Sequence, residues 1–173
     1  MEDILEFWFR TLQPSDWYKK SDELDEQIKE RFEPVYRQVV AGETSDWRGT
    51  PEGRLAEIIV LDQFSRNMFR GSPESFVADP LALALAQEAV RNGDDQKLEM
   101  RQRVFVYMPY MHSESARVHE QAMDLFADTP NLEYEIKHKA IIDRFGRYPH
   151  RNDVLGREST AEELEWMKTN SGF

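Results

Sequence analysis

Arg144, Arg147, His150 and Arg151 crowd into one short span, DRFGRYPHRN, of a chain whose formal net charge is -11. Guanidinium groups can hold phosphate or carboxylate by two parallel hydrogen bonds, and imidazole adds a donor or moves a proton near neutral pH. The span, with Asn152 beside it, is therefore a candidate anion site. The competing expectation is that these cations pair with the chain's own acids, since 33 Asp and Glu face 22 Lys and Arg.

Other polar residues fall on apolar helix faces and so point to the same interior. Leu55, Ile58, Ile59, Leu61, Phe64, Met68 and Phe69 leave little of their helix polar, which marks it as buried. Asp62 and Arg66 lie on that wheel among Leu55, Ile58, Ile59 and Phe69, spaced to pair with each other. As a structural ion pair they would fix helix packing; as site residues they would orient a base and hold a substrate. Gln63, Asn67 and Arg70 extend the polar edge. His119 falls between Met123 and Phe126, and His138 shares a face with Ile141, Ile142 and Phe145. A buried imidazole is either a hydrogen-bonded core residue or a general acid or base. The catalytic candidates are thus His119, His138, His150 and Asp62, and the ligand-binding candidates are Arg66, Asn67, His112, Arg144, Arg147, His150, Arg151 and Asn152.

Several chemistries have no support. Glu135 and His138 form one Glu-x-x-His element, whereas di-iron carboxylate bundles need two plus further glutamates. No His-Glu-x-x-His is present, so neither a metal nor another cofactor is expected. Ser113 and Ser115 lie near His112, but without a Gly-x-Ser-x-Gly elbow Ser113 is better explained as a helix cap. Phosphate-binding glycine loops are missing. With no cysteine, thiolate nucleophiles, disulfides and Cys-ligated metals are excluded. The acidic balance also argues against nucleic acid or an anionic membrane as a partner.

Helices must position these residues. Leu24, Ile28, Phe32, Val35, Tyr36 and Val39 keep helical spacing up to Gly42, with Pro34 expected to kink or divide the helix. Thr50 and Pro51 mark a start and Gly71 a stop. Asp79 and Pro80 mark the next start, and Gly93 its stop. Further helices are expected around residues 101–108, 115–127 and 131–145, and Thr160 with Glu163 has capping-box spacing for a last one. Aligning ALALAQEAVRNG with ARVHEQAMDLFA matches Ala82 with Ala116 and Gln87 with Gln121 at an offset of about 34 residues, which supports helical hairpins more than true repeats. At 40% hydrophobic and 32% charged, 173 residues suit one domain over 1–173. The acidic start, MEDILEFWFRTL, does not read as a secretory signal, and no apolar stretch is long enough to span a membrane, so the expected location is cytoplasmic.

LDQFSRNMFRG, MPYMHSE and FGRYPHRNDVLGREST together resemble the bacterial domain-of-unknown-function family 924, over nearly the whole chain. The resemblance implies an all-α fold of antiparallel helical hairpins in a tetratricopeptide-like right-handed array. It implies no activity, cofactor or catalytic residue. Tyr148 stands where phenylalanine is expected. Two functions are carried forward: a module binding a small anionic ligand or an acidic peptide end, and a small metal-independent enzyme with a histidine acid or base oriented by Asp62. A scaffold with an internal ion-pair network is a third, and the sequence does not set an oligomeric state.

Overall fold

The computed structural model describes residues 1–170; the last three residues of the expected 1–173 domain lie outside the described residues. All regular structure among them is helical. The chain runs through α1 (Glu2–Glu6), a π-helical turn (Phe7–Thr11), α2 (Asp22–Val40), a 3-10 turn (Ser45–Gly49) and α3 (Pro51–Ile58). A second π-helical stretch (Ile59–Phe64) leads into α4 (Ser65–Met68), α5 (Glu74–Val77) and α6 (Asp79–Arg91). Then come a 3-10 turn (Asp95–Lys97), α7 (Met100–Met111), α8 (Ala116–Phe126), α9 (Leu132–Phe145), a 3-10 turn (Pro149–Arg151) and α10 (Ala161–Met167).

The punctuation explains most of these boundaries. Thr50 caps α3 by accepting from the Gly53 amide at 3.1 Å, with Pro51 in the first turn where its missing N–H costs nothing. Thr160 and Glu163 close a reciprocal capping box on α10. Gly146, at φ +70°, ends α9 in the left-handed region, which turns the chain sharply toward Tyr148 and Arg151.

Three expectations need correction. Pro34 does not divide α2, which runs unbroken from Asp22 to Val40. Asp79 is not a cap: Ala78 holds that position and Asp79 is the first helical residue, leaving its carboxylate for other partners. Ser113 lies three residues before the start of α8, whose cap position belongs to Ser115.

Sequence neighbours α6, α7, α8 and α9 pack in succession, α3 lies against α6 and α7, and α2 covers the π stretch and α4. Trp8, Phe64, Phe105 and Trp17 interlock mostly edge-to-face, with Trp8–Phe64 centroids at 5.5 Å and Trp17–Phe105 at 5.0 Å. Each such burial contributes about 1.5–3 kcal/mol, offset largely by ordering the chain. Gly53 is required by contact: a Cβ there would lie 1.9 Å from the Trp47 carbonyl oxygen. Glu57, fully buried on α3, accepts from Thr44 at 2.6 Å and Arg48 at 2.8 Å, which ties the Ser45–Gly49 turn to the same helix. Among the described residues no helix is long and apolar enough to cross a membrane.

Candidate functional site

Asp62 sits in the π stretch, where the wider turn buries all six residues from Ile59 to Phe64. Such bulges recur at functional sites because they turn out side chains that a regular helix would space differently. Asp62 is 1% exposed and has three side-chain partners: Gln63 Nε2 at 2.6 Å, His112 Nδ1 at 2.7 Å and Arg66 at 3.3 Å. Burial opposes its ionisation, but the Arg66 charge and the hydrogen bonds from His112 and Gln63 outweigh that cost and hold the carboxyl well below the usual carboxylate range. Asp62 is therefore an anion, and an anion only accepts.

The consequence falls on His112, which ends α7. Its Nδ1 must carry the proton that bonds to Asp62. Burial, opposed by the Asp62 charge, holds the ring below the usual imidazole range, so at neutral pH the Nε2 bears a lone pair. The side chain is 17% exposed, so the lone pair belongs to a group that solvent partly reaches. A carboxylate fixing one nitrogen while the other stays basic is the arrangement of a general base.

Two arginines and a second aspartate close one side. Asp79 takes Arg66 in a bidentate grip at 3.0 and 3.1 Å and faces Arg151 at 3.4 Å. Arg66 also donates to the Asp62 carbonyl at 2.7 Å, and Arg151 donates to the His112 carbonyl at 3.1 Å, so both brace the backbone that carries the dyad. The Arg151 guanidinium carbon lies over the rings of Phe76 (4.6 Å to the centroid) and Tyr148 (4.5 Å). Burial and the neighbouring Arg66 lower its pKa from the usual guanidinium value.

Tyr148 is the hub of the remaining histidines. Its hydroxyl donates to the Met111 carbonyl at 2.5 Å and accepts from His119 Nε2 at 3.2 Å. His119 Nε2 also donates to the Ser113 carbonyl at 2.8 Å, while its Nδ1 meets Glu135 at 2.6 Å, and both side chains are fully buried. Because Nε2–H is committed to acceptors, one proton lies between His119 Nδ1 and Glu135. His138 donates from Nδ1 to the Tyr134 carbonyl at 2.7 Å, and its ring lies 6.3 Å from that of His112 and 5.7 Å from that of Tyr148. Burial pushes the His138 pKa down to about 3. His150, 5.5 Å from Tyr148 ring to ring, is pushed down to about 4 by burial and the Arg151 charge.

The four histidines, Asp62, Arg66 and Arg151 thus converge on Tyr148 and the end of α7. Other candidates lie elsewhere. Arg144 pairs with Glu162 at 2.8 Å on the surface, and Arg147 grips Glu163 at 2.7 and 2.8 Å and the Glu158 carbonyl. These contacts seat α10 against the loop, together with Asn152, which donates to Ser159 and Glu163. Asn67 donates to Asp25 at 2.7 Å, away from the histidines. The Glu135 of the Glu-x-x-His element serves His119, and among the described residues no three His, Asp or Glu side chains gather into a metal site.

Four contributors carried no sequence signal for this role. Asp79 looked like helix punctuation, Phe76 is an isolated aromatic in the one-turn α5, and Glu114 and Arg157 are ordinary charges until the fold joins them. Glu114 accepts the Tyr148 amide at 2.7 Å and both arms of Arg157 at 2.6 and 2.9 Å, locking the loop onto the end of α7.

Residues 4–171 match the family model described as a bacterial protein of unknown function (DUF924). The chain is also similar to a protein of unknown function from Agrobacterium tumefaciens, ATU0120, at 36% identity and a TM-score of 0.93, covering 98% of this chain and 97% of that one. Among curated proteins none matches.

Proposed function

Because the chain belongs to the bacterial DUF924 family, which has no assigned activity, its function has to come from the site, and we propose that it is a small acid–base enzyme in which His112 is the general base and Asp62 orients it. The observation that carries this reading is the 2.7 Å bond from His112 Nδ1 to the buried Asp62 carboxylate. It fixes the tautomer and leaves a lone pair on Nε2 of a side chain that is 17% exposed. Arg66 and Arg151 brace the dyad, and His138 and His150 stay neutral beside it. The scaffold is a tetratricopeptide-like array of hairpins acting as one domain, supported by the successive packing of α6 to α9.

Capture of a small anion or an acidic peptide end by the arginines has less support. Arg66, Arg144, Arg147 and Arg151 each meet a carboxylate of the chain itself, so little positive charge is left over.

Diethyl pyrocarbonate, which acylates neutral imidazole, tests the proposal without knowledge of a substrate. At pH 6.5 His112 is modified at Nε2 ahead of the buried His119 and His138. In a folded His112→Asn variant that adduct is gone, and so is turnover of whatever substrate a screen identifies. Modification of the other histidines with His112 left intact overturns the proposal.

A further inference from the structure

Three buried polar atoms around Tyr148 have no hydrogen-bond partner among the described residues: Glu135 Oε2, on the far side of His119, and, on the loop itself, Arg151 Nε, on a side chain 8% exposed, and His150 Nδ1. A buried donor left unmade costs roughly 1–3 kcal/mol. An unpaired guanidinium nitrogen, on a side chain that lies over the Phe76 and Tyr148 rings and donates from its other end to the His112 carbonyl, therefore points to an occupant. The pattern of unmade bonds describes that occupant. Arg151 Nε–H can only donate, His112 Nε2 can accept, and His150 Nδ1 can do either according to its tautomer.

Charge narrows the class further. Asp62 and Asp79 face Arg66 and Arg151, which makes two negative charges against two positive, and the three nearby rings of His112, His138 and His150 are neutral. A phosphate brought here would meet two aspartates without a free cation to balance it, and burying an unbalanced charge is costly. A neutral carboxamide meets no such penalty: its carbonyl oxygen accepts, its N–H donates, and the half-buried Phe76 ring, which carries the Arg151 guanidinium, adds apolar contact for whatever it carries.

We propose that the site takes a neutral carboxamide, with Arg151 Nε–H and His150 holding its carbonyl oxygen and His112 Nε2 facing its nitrogen side. This rests on the acid–base reading of Asp62 and His112 and names its substrate class. The reaction that follows is hydrolysis by water. His112 Nε2 takes a proton from the water as its oxygen bonds to the carbonyl carbon, and the π pair moves onto the carbonyl oxygen, where the Arg151 donor stabilises it. The carbonyl then re-forms, the C–N bond breaks, and the leaving nitrogen takes the proton back from His112. The products are a carboxylic acid and an amine.

Benzamide is a suitable probe, because it joins the carboxamide to a ring that can pack on Phe76. Titrated into the 15N-labelled protein, it shifts the His112 and His150 ring resonances saturably and brings Arg151 Nε–H into slow exchange, whereas inorganic phosphate and acetate at equal concentration do not. His150→Asn, which leaves the arginine array intact, weakens benzamide about tenfold, the loss of one hydrogen bond. Arg151→Lys, which keeps the charge and removes the Nε–H, weakens it at least as much, with folding checked by circular dichroism. If His112 shows the Nδ1–H tautomer but benzamide leaves the rings unmoved, the substrate class is wrong and the dyad stands. Saturable shifts with phosphate instead, or benzamide binding unchanged in both variants, also overturn the inference. The wrong His112 tautomer overturns the reading beneath it.

Discussion

Replacing Asp62 by Asn keeps the shape of the side chain and removes its charge, so it isolates what the anion does. The carboxylate accepts two short hydrogen bonds, from His112 at 2.7 Å and Gln63 at 2.6 Å, and faces Arg66 at 3.3 Å. Bonds to a charged group are worth roughly 1.5–3 kcal/mol and neutral ones roughly 0.5–1.5, so two conversions cost about 2 kcal/mol. Arg66 keeps its bidentate Asp79, which limits the further loss to about 1 kcal/mol instead of the roughly 3–5 kcal/mol of an abandoned buried charge. An unfolding entropy of roughly 2.1 cal/mol/K per residue turns the resulting ~3 kcal/mol into a fall in Tm of about 8 °C for 173 residues. The same change removes the charge that supports the His112 imidazolium, so the His112 pKa drops further. It also removes the preference for the Nδ1–H tautomer, which lowers kcat by about 10³- to 10⁴-fold. Differential scanning calorimetry and histidine NMR read both effects. A Tm within about 2 °C of the parent, with an unaltered His112 titration, would refute the reasoning.

Acid lability has two phases with the same sign. His138 is held near 3 in the folded state against about 6.5 unfolded, so its contribution is complete above pH 6.5 and is lost as pH falls toward its folded value. That amounts to about 2 kcal/mol at pH 5, visible as a shift in the urea midpoint, and His138→Phe removes that part of the slope. Asp62, Glu114 and Glu163 have depressed pKa values, so their contributions are present above about pH 4 and are lost below it, giving a second and steeper decline in the same titration. Gly53→Ala puts a Cβ against the Trp47 carbonyl and costs about 3 kcal/mol or more by urea unfolding, while leaving the site's histidine spectrum intact if the fold survives. Glu114→Gln breaks the bidentate grip of Arg157 and weakens the bond to the Tyr148 amide, costing about 2 kcal/mol and loosening the loop, which raises hydrogen exchange at Tyr148 and Arg151.

The helices were readable because their ends carry local chemistry. Thr50 with Pro51, Thr160 with Glu163 and the glycines at 42, 71, 93 and 146 each satisfy a terminus from within a few residues, and the structure keeps all of them. Pro34 misled because a helix held by a buried stripe of Ile28, Phe32, Tyr36 and Val39 tolerates one missing donor. The inward direction of Asp62, Arg66, His119 and His138 was also legible, since helical periodicity reports faces directly. Pairing was not. Nothing local marks Asp79 as the carboxylate shared by Arg66 and Arg151, 72 residues from the latter, or Glu135 as the partner of His119. The Arg144–Arg151 span divides for the same reason: Arg144 and Arg147 seat α10, while Arg151 alone turns inward, because Gly146 and Pro149 reverse the chain between them. Tyr148, notable from sequence only as a replacement for phenylalanine, gains its meaning from the hydroxyl that reaches Met111 and His119.

Long-range 1H–15N correlation of the histidine side chains through a pH titration tests the central claim most directly. The account predicts that at pH 7 the His112 ring is neutral, protonated on Nδ1 and bare on Nε2, and that it titrates well below 6.5. A His112 ring protonated on Nε2 alone, or already an imidazolium at pH 7, contradicts it.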